Sequence, residues 1–132
     1  MCDEPTSITD AYSMIKVLHR EFNVNRFNVV VNKVSSNQQG IDLFNKILKV
    51  ADNNLNVMLN FLGSVPQDEY LQQSVQARRP VVDCYPRSKS ALALKKLAKK
   101  IHGWPEPKHP IGHVEFFVER LVSHSTSAGV IE

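Results

Sequence analysis

Asn32 stands at the end of an apolar run, and its carboxamide offers a donor and an acceptor side by side. Further along, Ser64-Val65-Pro66-Gln67-Asp68 has the composition of a turn in which Pro66 stiffens the backbone and Asp68 can cap the helix behind it. Near the start, Asp3 to Tyr12 carries the acidic residues Asp3, Glu4 and Asp10 among the hydroxyls of Thr6, Ser7 and Thr9. These sets can bind, but none is a reaction centre. Ser, His and Asp occur without nucleophile-elbow spacing. His109 and His113 straddle Pro110 with no Cys or carboxylate pattern to complete a zinc site, and Cys2 and Cys84 lack metal or redox spacing. No catalytic residue and no metal ligand is therefore expected. Lys89, Lys95, Lys96, Lys99 and Lys100 read first as a solvated helix face, with a phosphate-binding stripe as the weaker alternative.

The elements that must position these residues follow from periodicity. Asp3 to Tyr12 reads as a loop emptying into a helix, with Pro5 fixing its φ, Ser7 as cap and Asp10 completing a capping box. From Ile8, the residues Ala11, Tyr12, Ile15, Leu18 and Phe22 recur at helical spacing, and Asn23 and Asn25 end the helix. Phe27 to Val34 is β-branched and almost continuously apolar, which predicts a strand buried on both faces, as in a parallel sheet. A second helix carries Ile41, Phe44, Ile47, Leu48, Ala51 and Leu55, and Val57 to Gly63 is a second strand, completing a βαβ unit. Asp68 caps a short helix over Glu69 to Gln76, Val81-Val82 reads as a short edge strand, and Ser88 caps a third long helix. That helix carries Ala91, Leu94, Leu97, Ala98 and Ile101 inside and stops at Gly103.

Three units result: residues 1–103 as an α/β portion, a stiff proline-rich connector over 104–110, and an amphipathic tail helix with a frayed end over 111–132. The tail's apolar residues Phe116, Phe117, Val118, Leu121 and Val122 suit either a membrane interface or packing against protein. At 42% hydrophobic and 22% charged, the chain has the balance of a globular domain rather than a disordered segment. It has no apolar run of about 20 residues and no signal-peptide pattern, so a cytoplasmic location is expected. The net charge of +3 is too small to make nucleic acid the expected partner.

In order and wording, three segments resemble the second half of the MinD/ParA family of deviant P-loop ATPases, closest to its flagellar-number regulator branch, FlhG/FleN. They are Glu4-Pro5-Thr6-Ser7-Ile8-Thr9-Asp10-Ala11-Tyr12, the strand Val29-Val30-Val31-Asn32-Lys33-Val34, and Leu62-Gly63-Ser64-Val65-Pro66-Gln67-Asp68 followed by Ser74-Val75. Tyr85-Pro86-Arg87-Ser88 and Glu115 to Leu121 support the match. The fold class implied is α/β, a partial doubly wound parallel sheet forming the C-terminal half of a P-loop ATPase fold, with a C-terminal amphipathic helix. The sequence contains no G-x-x-x-x-G-K-[ST] loop to wrap phosphates. ATP and Mg therefore belong to full-length relatives, and tight nucleotide binding or hydrolysis by this chain alone is not expected.

Residue by residue, the resemblance assigns adenine recognition to Asn32, Pro66, Gln67 and Asp68, and a dimer interface to Glu4, Thr6 and Asp10. It implies an ATP-dependent homodimer that restrains a flagellar transcription activator and acts with a signal-recognition-type flagellar GTPase and the flagellar switch. For the tail it implies peripheral contact with the inner face of the cell membrane. The motif at Asp3 to Tyr12 normally follows a buried strand, so poor solubility alone and rescue by an N-terminal half are expected. The alternative is a stand-alone protein-interaction module that binds no nucleotide. A third reading, non-specific DNA binding through the Lys95 to Lys100 face, predicts affinity that falls steeply with salt.

Overall fold

The computed structural model describes residues 1–105, so the tail helix expected from Ile111 and most of the connector lie outside the described residues. Seven elements follow one another: α1 (Pro5–Phe22), β1 (Arg26–Val34), α2 (Asn37–Asn54), β2 (Met58–Pro66), α3 (Glu69–Gln76), α4 (Val81–Cys84) and α5 (Lys89–His102). β1 and β2 pair in parallel, Phe27 opposite Leu59 and Asn32 opposite Val65, with α2 as the crossover between them. The expected βαβ unit and parallel α/β class are both present.

Helices cover both faces of this sheet, because β1 and β2 each carry apolar side chains on both faces. On one face α1 and α2 enclose a core of Ile15, Val31, Val34, Leu43, Ile47 and Leu59, with Val29 and Phe61 packed against it. Leu43 and Ile47 are almost wholly removed from water, a gain of about 1.5–3 kcal/mol for each. On the other face Leu97 of α5 meets Leu62, Val65 and Val30. Gly63 lets α5 come this close, since a Cβ there would lie 2.9 Å from Leu97 Cδ2. Lys100 fastens the far end of the helix, donating from Nζ to the Leu62 carbonyl at 2.6 Å.

Several expectations are corrected. α1 begins at Pro5, with Glu4 at the cap position and no side-chain cap. Ser7 instead accepts from the Cys2 N–H through Oγ at 3.0 Å, so neither it nor Asp10 forms a capping box. Proline at the first helical position explains the early start, because it lacks the N–H a cap would satisfy and its φ suits the helix. Val81-Val82 is helical rather than an edge strand: the Pro80 carbonyl accepts from the Asp83 and Cys84 N–H groups at 3.1 Å each, closing a short turn that buries Val81. β1 is only partly buried, and Leu94, Ala98 and Ile101 are exposed. The described sheet is two strands wide and α5 lies over β2, so the flanks of that helix have no strand beneath them.

Candidate functional site

The regular ladder of β1 ends at Asn32. Lys33 then takes a left-handed φ of 57°, and the register skips from Asn32 to Val34. This kink turns the Lys33 N–H onto Asn32 Oδ1 at 2.9 Å. The exposed Asn32 amide is thereby held by its oxygen, which keeps a second lone pair, while Nδ2 has no partner among the described residues. One donor and one acceptor position remain open to a ligand.

Beside it β2 runs to Pro66, farther than its apolar run alone indicates, and the chain turns at once into α3. The Gln67 N–H donates to the Val34 carbonyl at 2.9 Å, tying the turn to the end of β1. Asp68 caps α3 as expected, accepting from the Tyr70 N–H through Oδ1 at 3.0 Å. Its second oxygen does something local sequence does not reveal. Oδ2 accepts from both the N–H and the Oγ–H of Ser90, each at 2.8 Å, in the first turn of α5. The Ser90 N–H is the foremost influence holding the Asp68 carboxyl below its ordinary value of 3.8; desolvation opposes it, and the Ser90 hydroxyl and Tyr70 N–H reinforce it.

Asn32, Pro66, Gln67 and Asp68 thus line a single cleft of about 590 Å³ at the carboxyl ends of both strands, together with Lys33, Leu71, Gln72, Val75 and Gln76. Its volume falls in the range of small-molecule sites. With both Asp68 oxygens engaged, the loop's backbone and the carboxamides of Asn32, Gln67, Gln72 and Gln76 are the groups placed to read a ligand's polar edge. Val75, 69% exposed on α3, and Leu71 supply apolar surface for a flat ring. Helical spacing from the Asp68 cap could have added Leu71, Gln72, Val75 and Gln76 to the expected site. Ser90 gave no local signal, since its partner lies 22 residues away.

Glu4, Thr6 and Asp10 are all exposed at the start of α1, and none lines the cleft. Thr6 and Asp10, four residues apart, share one helix face. Asp3 is joined to the first turn of α2, accepting from Gln39 Nε2 at 2.9 Å, while Gln39 Oε1 accepts from the N–H of Ser35 in the loop after β1. Among the described residues there is no group of His, Cys, Asp and Glu arranged to hold a metal ion, and no helix is long and apolar enough to cross a membrane.

A parallel β-α-β core with helices on both faces and an amide-lined cleft beyond the strand ends defines an open α/β protein of the kind that binds ligands at this edge. Sequence comparison narrows the class. The chain is 48% identical to the antiactivator FleN of Pseudomonas aeruginosa over 131 residues, 99% of this chain and 47% of that protein. It is 30% identical to the flagellum site-determining protein YlxH of Helicobacter pylori over 77 residues, 58% of this chain and 26% of that protein. The chain is thus similar to FleN along nearly its whole length and spans about half the length of that protein. No protein-family model matches the sequence.

Proposed function

We propose that this chain is the base-recognising portion of a MinD/ParA-type ATPase that regulates flagellar number. The observation that carries the reading is the convergence of Asn32 with Pro66, Gln67 and Asp68 on one cleft. Adenine presents a donor and an acceptor side by side, and a carboxamide pairs with both. Asn32 Nδ2 would donate to the ring nitrogen, and the free lone pair of Oδ1 would accept from the exocyclic amine. Pro66 and Gln67 would close over the ring from the β2 side, with Leu71 and Val75 against its face.

The residues present suit the base and not the phosphates. Neither a glycine-rich loop in the sequence nor a metal-binding cluster among the described residues is available to them. Phosphate and Mg binding would come from another segment, and that segment would supply the hydrolysis chemistry. Glu4, Thr6 and Asp10 would contribute to an ATP-dependent dimer by receiving a lysine ammonium. Through that dimer the whole protein would restrain a flagellar transcription activator, in keeping with the word antiactivator in the name of FleN, and would act with a flagellar GTPase and switch proteins.

A chimera tests this. In Pseudomonas aeruginosa lacking FleN, a FleN whose matching stretch is replaced by this chain is expected to restore normal flagellar number, and the same chimera with Asn32→Ala is not. A folded chimera that fails to restore the number, or an Asn32→Ala version that restores it fully, would contradict the proposal.

A further inference from the structure

We infer that Ser90 is a positioning residue for the base-binding loop, acting through Asp68; the inference rests on the adenine reading of the cleft. Ser90 is fully buried, yet it touches the cleft only through the carboxylate it holds. Both of its donors converge on Asp68 Oδ2 at 2.8 Å. Its hydroxyl also lies 3.3 Å from Ser88 Oγ, which accepts from the Ala91 N–H at 3.2 Å, so the group is built into the start of α5.

The helix that carries Ser90 is anchored from its far half. α5 is pinned to β2 by Leu97 against Gly63 and by the bond from Lys100 to Leu62, which makes it a fixed post rather than a mobile arm. The loop therefore has two moorings. Gln67 N–H is bound to the end of β1 at Val34, and Asp68 is bound to α5 at Ser90. Between them the backbone of Gln67 is held where it can face a base beside Asn32. Removing the Ser90 hydroxyl leaves Asp68 its Tyr70 cap and the Ser90 N–H, so the helix can start while the loop loses part of its second mooring. Binding that depends on loop placement then falls more than folding does.

The test is an NMR titration of the chain with adenosine, comparing wild type, Ser90→Ala, Asp68→Ala, the double variant, and Ile47→Val. The last lowers stability from the opposite face of the sheet without touching the cleft. Ser90→Ala is expected to weaken adenosine about tenfold, a loss of about 1.4 kcal/mol. Ile47→Val should leave affinity unchanged, and Ser90→Ala should have no further effect once Asp68 is alanine. Wild-type affinity in Ser90→Ala, an equal loss in Ile47→Val, or an undiminished effect in the Asp68→Ala background would overturn the inference and leave the cleft reading intact. A wild-type chain that binds no adenosine would overturn both.

Discussion

Met1 lies beside Val31 with the hydrogen bonds of a parallel bridge. Its amino group donates to the Val30 carbonyl at 3.0 Å, and its carbonyl accepts from the Asn32 N–H at 2.7 Å. The edge of β1 opposite β2 is therefore ready for a parallel ladder, and the N–H and C=O of Asn28 continue it toward the start of the strand. Such an edge, with Val29 and Val30 half exposed above and below it, recruits other strands.

Supplying a segment with parallel strands for that edge should improve solubility. Co-expression with the part of FleN that this chain does not match is expected to give a soluble one-to-one complex, measured by light scattering after size exclusion. A chain that stays monodisperse at high concentration and ignores the added segment would contradict this.

Asp68 makes stability depend on pH in a predictable direction. Its folded pKa is depressed, so the unfolded chain binds the proton more readily and stability rises with pH through this window. The contribution is fully present above the ordinary value of 3.8 and is lost as pH falls through the lower folded value. Urea unfolding of wild type and Asp68→Asn should show wild type more stable at about pH 6, with the gap closing toward about pH 2. Asp68→Ala at neutral pH should cost about 1–2 kcal/mol through the lost cap. A gap that widens with acid would be inconsistent with these bonds.

Gly63→Ala probes the seat of α5. The added methyl meets Leu97 at 2.9 Å on a backbone with φ of 155°, so it should cost about 1–3 kcal/mol in chemical denaturation. A neutral result would mean that α5 does not rest on β2 as described.

Much of this arrangement could be read from the sequence, and the exceptions have a common cause. The strand of Phe27 to Val34, the crossover helix and the caps at Asp68 and Ser88 are written in local periodicity and local hydrogen bonding. So was the position of Asn32, because a β-branched run followed by a polar loop fixes where a strand stops. The failures lie where local signals compete. At α1, Ser7 has the composition of a cap, but Pro5 starts the helix earlier. At Val81-Val82, β-branched side chains suggest a strand, yet no neighbour offers a ladder and Pro80 begins a turn. The Asp68 to Ser90 bond could not be found locally at all, since it exists only once α3 and α5 are brought together.

Adenine reading by Asn32 and the Pro66 to Asp68 loop, as proposed above, can be tested in one titration. Adenosine and guanosine at millimolar concentration are added to isotope-labelled chain while the Asn32 side-chain amide and the Gln67 backbone amide are followed. Saturable shifts of both signals with adenosine, much weaker with guanosine and absent in Asn32→Ala, are the predicted result. Equal responses to the two nucleosides, or none at either residue, would contradict the account.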